Sequence, residues 1–315
     1  MTEHGKSLIF IVTTNCLLLF ISSIGTVVNA FLFNKFATRK GVLSGFYKLC
    51  LIKTIPNFIV CISFLLWAVP LGSLQVNSKR IPRSINVFIG QLSGSGAFLM
   101  GPLLQVAMAS NRFLSLYFAM LTARKSKYPV TTIWILISTI LAVIYTVVGL
   151  PGTNVSYVSN SKKNCGFLYI PEEILWLSED GECSQFLYDI LFYTVLACSI
   201  FSNTLNITTA GKLVFDKVAG MSASDSQLRR RMYIRKFSQC VLQDCLHAFD
   251  MINCSFIYKM DLSSIWLQFM CFSVSFVGIH MLDGLVMFFF HADVQPKWLR
   301  KTFVRNSIIS VTPAS

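Results

Sequence analysis

The chain has 315 residues, 54% of them hydrophobic and only 13% charged, and its mean hydropathy is +0.62. Soluble globular chains carry about 25% charged residues, so this composition argues against a soluble domain and for a membrane protein. The net charge of +13 raises nucleic acid as a partner, but the basic residues are scattered beside apolar runs, so no nucleic acid is expected.

Twenty or so apolar residues cross a bilayer core of about 30 Å. Seven such runs occur, near 8–33, 46–69, 86–113, 131–151, 186–210, 237–258 and 264–290. They predict an all-α membrane protein, a seven-transmembrane helix bundle, with residues 1–7 before it and 291–315 after it. The first run, Leu8 to Phe33, outlasts the 7–15-residue core of a cleaved signal peptide and reads as a retained anchor. Residues 34–43 form a short basic turn, and Pro70, Gly72 and Pro82 are expected to break the helices in a loop at 70–85. The third run ends on Asn111, Arg112 and Phe113. The longest connection, 152–185, carries five acids, the cysteines Cys165 and Cys183, and a glycosylation sequon at Asn154. A second sequon, Asn206-Ile-Thr, lies inside the fifth run, out of reach of that chemistry. The stretch 211–236 is the most basic, and its Arg229-Arg230-Arg231 cluster leads into the sixth run as a helical extension. Past the seventh, Pro296 is placed to open a helix whose apolar side (Trp298, Leu299, Thr302, Phe303) and basic side (Lys297, Arg300, Lys301, Arg305) suit the membrane interface.

With seven spans, four loops or tails face away from the N-terminus. They hold seventeen basic residues, against seven on the N-terminal side. The positive-inside rule then puts the N-terminus outside the cell and the bundle in a lipid bilayer.

Ionisable residues near a span centre cost about 2.5–3.5 kcal/mol each, so each needs an account. Arg112 reads equally as an arginine snorkelling at a helix end or as a switch residue. In the sixth run, Gln239, Gln243, His247 and Asp250 share one helical face, with Asp244 beside it. Gln239 and Gln243 suit interhelical packing, while His247 and Asp250 suit either packing or a ligand pocket. His280 and Asp283 in the seventh run suit a polar knot between helices, with proton transfer as the alternative. Four histidines in all, no His-Glu-x-x-His, no serine-protease nucleophile with a placed histidine and no Gly-Asp pair of span aspartates speak against an enzyme. No metal or other cofactor is expected.

Several segments together resemble the nematode serpentine receptor class x chemoreceptors. They are Gly90-Gln-Leu, Asn111-Arg-Phe, Cys165-Gly-Phe-Leu-Tyr with Trp176 and Glu182-Cys183, Ile234-Arg-Lys-Phe-Ser-Gln239 with Leu242-Gln-Asp244, Trp266-Leu-Gln-Phe269 and His280-Met-Leu-Asp-Gly284. Gly25-x-x-x-Asn29 is similar to the first-helix asparagine motif of rhodopsin-like receptors, and Asn111-Arg112-Phe113 to their Asp-Arg-Tyr motif. The resemblance implies a rhodopsin-like G-protein-coupled receptor architecture in the plasma membrane of chemosensory neurons. It also implies a heterotrimeric G protein as partner and a small-molecule or peptide ligand of unknown identity, bound among the outer halves of spans three, five, six and seven. Arg112 is carried over as the switch residue. The sequence departs from rhodopsin-like receptors in lacking Asn-Pro-x-x-Tyr and a cysteine at the outer end of span three. The usual disulfide is therefore impossible, and Cys165 is expected to bond to Cys183. Spans two and seven are neighbours in the implied bundle, and Lys53 and Asp283 each lie about 10 Å deep at about 1.5 Å per residue. They are expected to pair, with Asn57 adding a hydrogen bond. A small transporter or ion channel is the alternative from a different class.

Overall fold

A computed structural model describes residues 7–40, 43–118, 130–150, 165–179, 181–218, 224–253, 264–291 and 293–296. Among these residues run seven long helices: α1 (Leu8–Ala37), α2 (Gly45–Ser73), α3 (Arg83–Tyr117), α4 (Val130–Val148), α5 (Glu182–Val218), α6 (Ser224–Ile252) and α7 (Ile265–Phe290). All but α6 are long and apolar enough to cross a membrane unaided. The exception follows from its polar stripe, which lowers the mean hydropathy while every member of the stripe stays buried. The bundle is apolar outside and polar within. Leu136, Val143 and Ile144 of α4 and Phe186, Ile200 and Ile207 of α5 are exposed, whereas Asn29, Lys53, Asn57, Gln243, His280 and Asp283 are enclosed. That inversion suits lipid as the surrounding solvent.

The predicted runs and the helices agree closely at α4 and α7. Helices α1, α2, α3 and α5 extend further, α5 most of all at 37 residues, about 55 Å at about 1.5 Å per residue and longer than a bilayer core of about 30 Å. Helix α6 starts earlier than its run and ends at Ile252, and the rest of that run, from residue 254, lies outside the described residues. The loop expected from residue 70 is corrected, because α2 continues through Pro70 and Gly72 to Ser73. A π-helical turn at Phe64–Ala68 precedes that proline, and the Val69 amide reaches back to the Phe64 carbonyl. The widened turn accommodates a ring that would otherwise strike the carbonyl four residues earlier. Two more π-helical stretches, Gln91–Ala97 in α3 and Phe269–Val274 in α7, lie near the same end of the bundle.

That end is capped by a β-hairpin, β1 (Phe167–Ile170) antiparallel to β2 (Leu175–Ser178), with Tyr169 opposite Trp176. The hairpin sinks into the bundle because α3 lacks side chains where it enters. A Cβ on Gly94 would come within 2.0 Å of the Phe167 ring, and one on Gly90 within 1.9 Å of the Phe167 carbonyl oxygen. Polar contacts with α3 hold it: Asn86 Nδ2 donates to the Tyr169 carbonyl (2.8 Å), the Tyr169 amide donates to Asn86 Oδ1 (3.1 Å), and Gln91 Nε2 donates to the Cys165 carbonyl (3.0 Å). Ile174, buried at the turn, is held at φ 58° and its carbonyl accepts from Ser273 Oγ of α7. A branched residue is strained there, and burial with this bond over-determines it. Cys165 and Cys183 are joined in a disulfide. Cys183 was expected in the loop but stands in the first turn of α5, so the bond ties the hairpin to that helix.

At the opposite end, α1, α2 and the residues after α7 meet. Arg39 pairs with Asp293, and the Tyr47 hydroxyl donates to the same carboxylate (2.9 Å). The His291 ring packs edge-on to Phe36 and Tyr47, and burial pushes its pKa down to about 4, so the imidazole is neutral near pH 7.

Candidate functional site

Three polar assemblies lie along the bundle. The first borders a cavity of about 300 Å³ between the hairpin and α3, α5, α6 and α7. Its walls are mainly aromatic and aliphatic, with Phe98 on α3, Trp176 on β2, Leu191 on α5 and Phe276 on α7. Two carboxylates reach it. Glu179, just after β2, receives both Nε (2.7 Å) and Nη2 (2.5 Å) of Arg83 and the Gly166 amide (2.8 Å). Asp250 of α6 accepts from Ser275 Oγ on Oδ1 at 2.6 Å, and its buried Oδ2 has no partner among the described residues. Of the two residues the sequence left open, Asp250 therefore borders the cavity and His247 does not. The His247 ring lies 6.3 Å from that of His280, and Gly101 of α3 leaves room for it.

The second assembly crosses α1, α2, α6 and α7. Lys53 Nζ lies 2.9 Å from Asp283 Oδ1, and Asn57 Nδ2 donates to Oδ2 at 2.6 Å. Asn57 Oδ1 in turn meets His280 Nδ1 at 2.9 Å. Lys53 is fully buried and Asp283 is 1% exposed, so neither side chain snorkels. Asn29 Nδ2 donates to the Gly25 carbonyl (2.8 Å) and the His280 carbonyl (3.3 Å), which binds α1 to α7. Gln239 Nε2 reaches Gln243 Oε1 (3.4 Å) within α6, and Gln243 Nε2 reaches the Asp283 carbonyl of α7 (3.5 Å), a long contact that suits packing between helices. The arrangement is a polar knot. Its carboxylate is matched by an ammonium, while His280 Nε2 has no partner among the described residues.

The third assembly surrounds Arg112. This residue is 2% exposed, so the snorkelling alternative is corrected: the side chain turns inward. Its Nη2 donates to Asn206 Oδ1 of α5, and Asn206 Nδ2 donates to Asp244 Oδ2 of α6 at 2.5 Å. Ser202 Oγ donates to the same carboxylate oxygen at 2.9 Å. The asparagine amide thus lies head to tail between a guanidinium and a carboxylate and bridges three helices. Asn111 Oδ1 accepts from Thr131 of α4 at 3.2 Å, and Phe113 stacks on Tyr117 at 4.5 Å. Arg112 lies about 26 Å along α3 from Ser95, which borders the cavity, at about 1.5 Å per residue.

Asn206 and Ser202 were not among the expected site residues. Asn206 was read only as an unusable sequon, and Ser202 gave no signal of its own. Asn206, Thr209 and Ser202 all lie on the buried face of α5, at spacings of three and four, and that polar face was the available cue. The sequon at Asn154, the basic residues Arg124, Lys125 and Lys127, and the interfacial helix after Pro296 lie outside the described residues, as do the side chains of Arg229–Arg231.

The family model described as serpentine type 7TM GPCR chemoreceptor Srx matches residues 19–291. No curated protein matches the chain.

Proposed function

The chain belongs to the Srx family of serpentine seven-transmembrane chemoreceptors, and on that footing we propose that it is a chemosensory receptor activating a heterotrimeric G protein. The ligand is a small molecule held in the cavity beneath the hairpin. The N-terminus and hairpin face outward and the Arg112 end faces the cytoplasm, a reading supported by the excess of basic residues at that end. The receptor acts in the plasma membrane, where a cavity open to external chemicals is of use.

One observation carries this reading: Arg112, Asn206 and Asp244 hold α3, α5 and α6 together at the end remote from the cavity. A ligand that repacks α6 and α7 around the cavity favours a second packing of the same helices. Separation of α3 from α6 would part Arg112 from its partners and free the guanidinium for the G protein. The bridge then belongs to the resting state.

The test is signalling in cells that co-express promiscuous G-protein α subunits, with surface receptor quantified by an N-terminal epitope. Asn206→Leu breaks the bridge and is expected to raise ligand-independent signalling several-fold. Arg112→Ala is expected to abolish signalling in both the wild-type and the Asn206→Leu backgrounds. Unchanged signalling in all variants at equal surface level would refute the assignment.

A further inference from the structure

We infer that the cavity beneath the hairpin selects a small organic amine in its protonated form, an assignment that rests on the cavity being the ligand site proposed above. The argument is one of charge. Among the described residues the cavity is bordered by two carboxylates, Asp250 and Glu179, and by no lysine, arginine or histidine. Glu179 is neutralised by both donors of the Arg83 fork. Asp250 has no such partner. It is fully buried, Ser275 and Asn253 form a short chain of hydrogen bonds behind Oδ1, and Oδ2 is left without a donor. A buried carboxylate with half its acceptor capacity unused is costly unless a cation reaches it. The Ser275 bond also fixes its orientation, because it engages one oxygen and leaves the other free.

The walls agree with the same ligand class. Phe98 and Phe276 stand 5.8 Å apart between ring centres, and Trp176, Tyr188 and Phe272 complete an aromatic surround. Aromatic faces attract organic cations through the ring quadrupole and also accept an apolar body. A volume of about 300 Å³ lies at the small end of ligand pockets, which run from about 300 to 1,000 Å³. Anions are disfavoured by Asp250, and a neutral hydroxyl can donate to Oδ2 but leaves the buried charge unmatched. The ligand that answers every feature has one ammonium, which meets Asp250 Oδ2, and one ring or short alkyl body.

Thermal unfolding of the purified full-length chain in lipid nanodiscs tests this, read with a thiol-reactive fluorophore that reports buried cysteines such as Cys61 and Cys240 as they emerge. The probes are phenethylamine, its neutral relative phenylethanol and the anion phenylacetate, each at about 1 mM, the concentration that detects millimolar affinity. Phenethylamine alone is expected to raise the unfolding temperature of the wild type. Asp250→Asn, which keeps an acceptor for Ser275, is expected to abolish that shift. No shift with phenethylamine, an equal shift with phenylethanol or phenylacetate, or a shift retained by folded Asp250→Asn would each overturn the amine assignment. The wild-type comparison of the three probes decides the matter even where the variant fails to fold. The receptor reading is judged separately, by the Asn206 and Arg112 variants. If they signal as expected while the amine fails, the ligand class alone falls; if the amine binds while they change nothing, the cavity stands and the receptor reading falls.

Discussion

Lys53 and Asp283 offer the sharpest test of how the bundle is held together. Replacing Lys53 by Met keeps the length of the side chain but leaves the Asp283 carboxylate, 1% exposed, with Asn57 Nδ2 as its remaining side-chain donor. Replacing Asp283 by Asn keeps an acceptor for Asn57 but strands a fully buried ammonium. Removing one partner of a buried pair costs about 3–5 kcal/mol, between about two and four orders of magnitude in the folding equilibrium. At about 2 °C per kcal/mol, each single variant should unfold on the order of 6–10 °C below the wild type, with a matching loss of surface expression. The double variant has no charge left to strand, so it should recover most of the loss. Unfolding is followed in detergent with a thiol-reactive fluorophore, and expression by flow cytometry. A double variant no more stable than the worse single would show that the two charges do not depend on each other, and the pairing argument would fail.

Gly284→Ala should destabilise the bundle by about 1–3 kcal/mol through overpacking, because its Cβ would lie 2.7 Å from Asn29 Oδ1 at the contact of α1 with α7; adding Asn29→Ala should recover part of that loss in the same unfolding assay. Mass spectrometry of non-reduced peptides should find Cys165 linked to Cys183, and either cysteine changed to Ser should cost about 3 kcal/mol, as expected for a closed loop of this size. The double cysteine variant should be no worse than either single, and additive losses would mean that the two act separately.

Much of this organisation is legible in the sequence, for identifiable reasons. Span positions follow from runs of apolar residues long enough for a bilayer, and the buried face of α6 follows from polar residues at helical spacing. The partnership of Lys53 with Asp283 followed from equal depth on helices that the family resemblance made neighbours. Asn206 was missed because its partners lie 94 and 38 residues away, on helices whose rotation no local pattern reports. The three π-helical stretches were missed for a related cause. Each shifts the phase between the two halves of its helix, so a single helical wheel misassigns faces on one side of the bulge. The hairpin did carry a signal, since Phe-Leu-Tyr-Ile and Leu-Trp-Leu-Ser flank Pro171 and are rich in strand formers. Each segment is only four residues long and lies within the longest connection between spans, where strand alternation is too short to stand out.

The polar knot also sets a timetable for biosynthesis. Lys53 enters the membrane with the second span, but its counter-ion follows 230 residues later, a delay of about 10–50 s at typical rates of about 5–20 residues per second. Throughout that interval the Lys53 ammonium lacks the carboxylate that pairs with it in the finished bundle. The pair that steadies the mature bundle is thus complete only once the seventh helix has been made, and a copy ending between Lys53 and Asp283 lacks it.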